Sequence, residues 1–171
     1  MRRIAIIGCS GGGKSTLATA LGERLRLPVV HLDVLFWRPG WVESEPAAFR
    51  ARVAEALAGD AWISEGNFIT GISDLRFPRA DAIVWIEQPR LICLWRAIAR
   101  VIKHRRTPRP DMAAGCAERF DLAFYRYIWT WDALTRPRMD AAIAAYGAAA
   151  RVVRLRGDGE ISAFLASAET C

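Results

Sequence analysis

The chain has 171 residues, 53% of them hydrophobic, which is enough for one substantial core, so we predict a single domain over 1–171. Its four cysteines form no Cys-x-x-Cys pair, which argues against a zinc site or a disulfide framework and favours a reducing, cytoplasmic compartment. No apolar run is long enough to span a membrane, so we expect no membrane partner, and the net charge of +6 suits an anionic ligand, either a nucleotide or a nucleic acid.

The first predicted element is a short buried strand over residues 4–7, which leads into a glycine-rich loop. Gly8, Gly13, Lys14 and Ser15 match the P-loop pattern G-x-x-x-x-G-K-[ST], in which bare backbone amides surround phosphate oxygens. Lys14 is expected to reach the β- and γ-phosphates and the Ser15 hydroxyl to ligate Mg²⁺. We therefore expect ATP with Mg²⁺, bound by Gly8, Ser10, Gly11, Gly12, Gly13, Lys14, Ser15 and Thr16.

A first helix is predicted over 14–26, and a second strand over 28–32 that ends at Asp33. Ligands of open α/β sheets bind at the carboxyl ends of strands, where Asp33 is expected to lie. Asp33 could contact the phosphoryl acceptor, help to hold the waters of the metal, or serve as a helix cap or turn residue. A dinucleotide-binding fold is excluded because its glycine pattern is absent.

The stretch 34–60 is interpreted as a helical insert on the acceptor side. Its aromatic residues flank a Pro39-Gly40 turn and could stack on a base or pack a lid onto the core; they are Phe36, Trp37 and Trp41. Trp37 is taken as an acceptor-binding candidate. Ser44 is predicted to cap a helix that buries Phe49, Val53 and Leu57.

A third strand over 61–64 leads into Glu65-Gly66-Asn67. An acid at the end of this strand suits water-mediated Mg²⁺ binding, as in a Walker-B motif, so Ser15 and Glu65 form the predicted metal site. Asn67 could hydrogen-bond the acceptor. Because Asn67 is the only asparagine, the guanine-recognition signature of GTPases is excluded.

A fourth strand is predicted over 82–86, followed after Pro89 by a helix on which Arg96 and Arg100 share one face. Further arginines at 105, 106 and 109 make this the most basic stretch of the chain, and 103–117 is interpreted as an arginine-rich lid. Arg105, Arg106 and Arg109 could form a solvated face, close over phosphates, or contact nucleic acid.

The remaining pattern predicts a long amphipathic helix, an alanine-rich helix over 139–150, a fifth strand over 152–155 and a last helix. The core-facing residues of the amphipathic helix are expected to be Phe120, Phe124, Tyr127, Ile128 and Trp131. Strands that alternate with helices, together with the phosphate loop, indicate a three-layer α/β P-loop fold with a five-stranded parallel sheet and helices on both faces.

Several short motifs resemble the bacterial DNA topology modulation proteins, which are small P-loop proteins related to adenylate kinases. The segments that carry the resemblance are His31-Leu32-Asp33, Phe36-Trp37, Pro39-Gly40-Trp41, Glu65-Gly66-Asn67, Gln88-Pro89-Arg90 and Arg109-Pro110-Asp111-Met112 with Gly115-Cys116. Pro89, Arg96 and Arg100 also match the Pro-x₆-Arg-x₃-Arg pattern of adenylate kinases. The resemblance implies a fold of the nucleoside- or nucleotide-kinase type with a small lid, in which Arg96 covers the adenine and Arg100 meets the phosphates. Asn67 follows the acid-Gly pair where adenylate kinases carry Phe-Pro-Arg, so the resemblance to adenylate kinases does not favour AMP as the acceptor.

The sequence therefore predicts a phosphotransferase that moves the γ-phosphate of ATP to a small-molecule acceptor. Its catalytic candidates are Lys14, Asp33, Arg96 and Arg100. The alternative is a nucleotide-dependent regulator that binds DNA and modulates its topology, supported by the net charge, the arginine run and the name of the family.

Overall fold

The computed structural model describes residues 1–104 and 111–168. Arg105, Arg106 and Arg109 of the predicted lid lie outside the described residues. The strands are β1 (Arg3–Gly8), β2 (Val29–His31), β3 (Trp37–Arg38), β4 (Val42–Glu43), β5 (Trp62–Glu65), β6 (Ala82–Glu87) and β7 (Arg151–Arg156). The helices are α1 (Lys14–Leu25), α2 (Leu32–Phe36), α3 (Pro46–Ala56), α4 (Ser73–Arg76), α5 (Arg90–Lys103), α6 (Leu122–Thr130), α7 (Arg136–Tyr146) and α8 (Gly157–Ser167), with a 3₁₀ turn at Phe77–Arg79 and a π-helical turn at Trp131–Thr135.

Five strands form one sheet in the order β2-β5-β1-β6-β7, and every neighbouring pair is parallel. This confirms the predicted five-stranded parallel sheet. The central strand β1 is buried on both faces, as its uninterrupted apolar sequence requires. Ile4 and Ile6 face one core, whereas Ala5 and Ile7 face the other.

Helices cover both faces of this sheet, which confirms the three-layer fold. On one face, α1 and α8 pack through residues such as Leu17, Leu21 and Phe164. On the other face, α3, α5, α6 and α7 pack through Phe49, Cys93, Ile128 and Met139 and their neighbours. The carboxyl ends of β1, β2 and β5 therefore meet at one edge of the sheet, where α/β folds bind ligands.

Three local predictions differ from the structure. The second strand ends at His31 and the chain turns at once into the short helix α2, so Asp33 lies on a helix. Ser44 does not cap α3; the Glu45 carboxylate accepts from the Ala48 N–H instead. Phe120 is 66% exposed and precedes α6, which begins after an Asp121 cap rather than at Phe120.

The predicted Pro39-Gly40 turn is confirmed, and it joins the two-stranded antiparallel ribbon of β3 and β4. This ribbon packs against residues 113–117: the Gly40 N–H donates to the Gly115 carbonyl at 3.1 Å and the Trp41 Nε1–H to the Ala117 carbonyl at 2.8 Å. The acceptor-side insert and the end of the predicted lid are therefore in direct contact.

In the described part of the chain, none of the helices has both the length and the apolar character that crossing a bilayer demands.

Candidate functional site

The glycine-rich loop joins β1 to α1, and its glycines are required by close backbone contacts. Gly8 has φ +141°, and a Cβ there would lie 2.4 Å from the Ile86 carbonyl oxygen. Gly11 has φ +82°, and its Cβ would lie 2.3 Å from the Cys93 carbonyl oxygen. Only glycine fits both positions, because the backbone conformation and the space each exclude a side chain.

Lys14 is the first residue of α1, and its side chain folds back over the loop. Its Nζ donates to the Cys9 carbonyl at 3.2 Å, and only 9% of the residue is exposed. The ammonium group and the positive end of the α1 dipole therefore meet at the same place. Such a loop, with one cation and a helix N-terminus, is built to bind an anion.

Ser15, Glu65 and His31 converge beside this loop. The Ser15 Oγ donates to the Glu65 Oε1 at 3.2 Å, and the His31 Nδ1 lies 2.9 Å from the same oxygen. Glu65 is 1% exposed. The hydrogen bond with Glu65 raises the pKa of His31 above its usual value, although burial opposes the change.

The two oxygen groups of the predicted metal site are thus within hydrogen-bond distance, and both line the cavity beside Lys14. Oxygen ligands suit Mg²⁺, which usually takes few protein ligands and completes its shell with waters and phosphate oxygens. Within 1–104 and 111–168, no group of three or more His, Cys, Asp or Glu residues is placed to hold a metal on its own. The residues present therefore fit a magnesium ion bound together with a nucleotide.

Sequence reasoning did not identify His31 as a neighbour of Glu65. The contact arises because β2 pairs with β5 in a register that places His31 opposite Glu65. The motif His31-Leu32-Asp33 at a strand end was the available signal.

Asn67 bridges the end of β5 to the first glycine of the loop. Its Oδ1 accepts from the Gly8 N–H at 3.1 Å, and its Nδ2 donates to the Tyr127 hydroxyl at 3.5 Å. Burial raises the pKa of Tyr127, although the hydrogen bond from Asn67 opposes the change. The Asn67 amide, which the sequence predicts to bind the acceptor, thus holds the start of the phosphate loop through a hydrogen bond to Gly8.

Arg76, at the end of α4, is a second residue that the sequence did not single out. Its guanidinium is fully buried and donates to the Ser64 Oγ, the Ser64 carbonyl and the Gly66 carbonyl at 3.2, 3.3 and 3.1 Å. These acceptors flank Glu65 on both sides. Arg76 therefore fixes the backbone that carries the Glu65 carboxylate.

One cavity of about 1610 Å³ connects the phosphate loop with the rest of the candidate site. Most of the predicted site residues line it, namely Ser10, Gly11, Gly13, Lys14, Ser15, Thr16, Asp33, Trp37, Glu65, Asn67, Arg96 and Arg100. Gly8 and Gly12 belong to the loop itself: Gly8 binds Asn67, and the Gly12 N–H donates to the Cys9 carbonyl at 3.0 Å.

The two arginines of α5 line the same cavity, and each is paired with a carboxylate. The Arg96 Nη2 donates to the Asp158 Oδ2 at 2.6 Å, and the Arg100 Nε lies 3.1 Å from the Glu118 Oε1. Arg100 also lies over the Phe124 ring, with its guanidinium carbon 5.6 Å from the ring centroid. Both side chains are therefore oriented towards the edge of the cavity.

Beyond the phosphate loop the cavity becomes aromatic. Trp37 and Trp41 pack edge to face with their centroids 5.4 Å apart, and Phe68 and Tyr127 also line the wall. Asp33 and Asn67 also line this cavity. Aromatic rings next to polar side chains suit a ligand that has both apolar and hydrogen-bonding parts.

Comparison with solved structures shows which fold this is. The chain superposes on the shikimate kinase from Acinetobacter baumannii in complex with shikimate, with a TM-score of 0.57, 15% identity, and coverage of 97% of this chain and 89% of that one. It also superposes on a Chloroflexus aurantiacus protein described as a "putative kinase", with a TM-score of 0.52, 18% identity, and coverage of 97% and 96%. No protein-family model and no curated protein matches the sequence. The chain thus has a P-loop kinase fold over nearly its whole length.

Proposed function

We propose that this protein is a P-loop phosphotransferase that moves the γ-phosphate of ATP to a small-molecule acceptor. One observation carries the proposal: Lys14, the Ser15–Glu65 pair and the aromatic end with Asp33 line a single cavity. A protein that only binds a nucleotide would not need a pocket for a second molecule beside the phosphate loop. The additional pocket is what a second substrate requires, and the fold shared with kinase structures supports the same conclusion.

In this proposal the loop amides and Lys14 hold the β- and γ-phosphates, and Ser15 with Glu65 would hold Mg²⁺. When bound, the ion neutralises charge on the phosphate oxygens. Asp33 orients the acceptor hydroxyl, with Trp37 and Asn67 as further acceptor contacts. Most of the rate enhancement then comes from positioning and charge neutralisation.

Arg96 and Arg100 complete the nucleotide side. We propose that Arg96 covers the adenine, as the resemblance to adenylate kinases implies, and that Arg100 meets the phosphates. Each would exchange a present partner, Asp158 or Glu118, for nucleotide. The 103–117 segment, with Arg105, Arg106 and Arg109, would act as the lid, and the 34–60 insert as the acceptor side.

The test is ADP release from ATP and Mg²⁺ across a panel of nucleosides, nucleotides and small hydroxylated compounds. We expect at least one acceptor to raise turnover well above hydrolysis of ATP by water. Lys14→Ala should lower that rate by roughly 10²-fold or more. Arg151 is an exposed cation on β7 that does not line the cavity, so Arg151→Ala is the matched control. If every acceptor leaves turnover at the water rate, the kinase proposal fails.

The alternative proposal is a nucleotide-dependent DNA-binding protein of the topology modulation type. It is supported by the net charge of +6 and by the arginine run of the sequence. It requires duplex binding that weakens steeply with salt, because bound arginines release counterions. If Arg105→Ala/Arg106→Ala binds duplex as tightly as the unaltered chain, the arginine run is not the contact surface.

A further inference from the structure

Helix α5 has two different faces. Arg96 and Arg100 line the cavity, and Cys93 and Ala97 are fully buried against the sheet. The outer face carries four large apolar side chains that we call the α5 stripe. They are Leu91, Trp95, Ile98 and Ile102, and they are 65%, 67%, 38% and 74% exposed.

The spacing within the α5 stripe is four, three and four residues. This is the spacing of the apolar seam of a coiled coil, in which each side chain inserts between side chains of a facing helix. A helix that merely completes a core has its apolar residues buried, whereas here a complete seam faces outwards. The spacing therefore fits an opposing helix rather than a flat surface.

The neighbouring helix α6 extends this apolar surface. Leu122 and Trp129 lie seven residues apart on one face of α6 and are 74% and 48% exposed. The Arg90 guanidinium, next to Leu91, lies 4.3 Å from the centroid of the Trp129 ring, which places the two faces side by side. The exposed apolar side chains of α6 therefore lie on the helix beside the α5 stripe, with Arg90 over the Trp129 ring at the boundary.

Its size matches a stable interface. With large side chains offering on the order of 200 Å² each, the α5 stripe exposes roughly 500 Å², already near the upper limit for a monomer. With Leu122 and Trp129 the exposed apolar area reaches about 730 Å², close to the roughly 800 Å² that one partner buries in an interface of standard size.

We propose that two copies of this chain associate through the α5 stripe. In a two-fold arrangement each stripe packs against itself, so one surface supplies both sides of the contact. The arginines of the cavity stay on the far side of the helix. The dimer would leave both cavities accessible and would hold α5 rigid beneath them.

Charge gives this dimer a distinctive dependence on salt. Arg96 and Arg100 stay on the cavity side, but the exposed Arg90 and Arg126 lie beside the apolar side chains of the patch, and neither α5 nor α6 carries an acidic residue. Two copies that meet here bring like charges together, so added salt should strengthen the dimer by screening. Binding of the same surface to anionic lipid or to nucleic acid would weaken with salt.

The experiment is sedimentation velocity on the full chain at protein concentrations from about 1 to 50 μM and at low and high sodium chloride. We expect a species of twice the 19.0 kDa chain mass, with a dissociation constant that falls or stays constant as salt rises. Trp95→Glu and Ile102→Glu should each weaken the dimer by roughly tenfold or more. Tyr146→Glu, at a 45% exposed position on α7, is the matched control and should leave it unchanged.

Far-UV circular dichroism and the melting temperature establish that each variant is folded, which is expected at exposed positions. A chain that stays monomeric at about 50 μM overturns the proposal. So does a dimer that Trp95→Glu and Ile102→Glu leave intact. A monomer that sediments with anionic phosphatidylglycerol vesicles, and is released by salt, would assign the patch to a membrane surface instead.

Discussion

Replacing Arg76 by methionine tests whether the backbone that carries Glu65 depends on a buried cation. The guanidinium is completely buried, and its three hydrogen bonds go to neutral oxygens of Ser64 and Gly66. Burial lowers the pKa of Arg76 from 12.5 to about 10, and the nearby charge of Glu65 opposes this. Methionine has a similar length but provides neither the charge nor the donors.

The expected size of the effect comes from two opposing contributions. A pKa lowered by this amount means that keeping Arg76 charged in the interior costs on the order of 3 kcal/mol. Hydrogen bonds from a charged donor contribute about 1.5–3 kcal/mol each, and there are three of them. The bonds outweigh the burial cost, so Arg76→Met should lower the free energy of unfolding by about 1.5–6 kcal/mol.

Arg79 provides a matched control in the next turn of the chain. It also donates to three carbonyls, those of Leu57, Ala58 and Gly59, but its side chain reaches solvent, so water can replace it. Arg79→Met should lower the free energy of unfolding by less than about 1 kcal/mol. Both values come from urea denaturation with linear extrapolation. If the two variants lose equal stability, burial is not what makes Arg76 important, and the reasoning is wrong.

Three further predictions follow from contacts in and around the site. Glu65→Gln should raise the Mg²⁺ concentration for half-maximal activity by roughly tenfold, because Glu65 is proposed to help hold the ion. Glu43 is exposed, so Glu43→Gln is the control and should leave that concentration unchanged. If Glu65→Gln and the unaltered chain need the same Mg²⁺ concentration, Glu65 is not part of the metal site. Gly11→Ala should lower the free energy of unfolding by about 1–3 kcal/mol and abolish ATP binding measured by calorimetry. Gly59 has open space around it, so Gly59→Ala should change neither stability nor ATP binding. Burial alone would raise the pKa of Glu87, but hydrogen bonds from two arginines and the charge of a third hold it below its usual value. Glu87→Gln should therefore cost about 2 kcal/mol near neutral pH, and this difference should disappear as the pH falls through that lowered pKa; a loss independent of pH would refute it.

The part of the site that the sequence predicts is the part encoded by consecutive residues. The strand β1, the glycine loop and the start of α1 occupy one short segment, so spacing alone places Lys14 and Ser15. The parallel sheet was likewise predictable, because buried strands alternate with amphipathic helices. Glu65 could be assigned beside Ser15 since the ends of neighbouring parallel strands meet at one edge.

The contacts that the sequence did not predict join residues far apart in the chain. His31 meets Glu65 only because β2 pairs with β5 in one particular register. The residues around Arg76 in the sequence give no indication that its side chain is buried, so the sequence predicts an ordinary surface arginine. Its burial follows only from the packing of α4 in the folded chain. The cap of α3 is different: Pro46 at the first helical position was a signal for Glu45, and Ser44 was favoured only by its side-chain type.

Asn67 shows how these long-range contacts limit what a mutation can reveal. The sequence assigns its amide to the acceptor, whereas in the fold the same amide accepts from the Gly8 N–H and donates to Tyr127. Removing the side chain would loosen the phosphate loop, so both substrates would bind less well even if Asn67 never touched the acceptor. A lower overall rate therefore carries no information about its role. Only a variant that raises the KM of the acceptor while leaving the KM of ATP unchanged would assign Asn67 to the acceptor pocket.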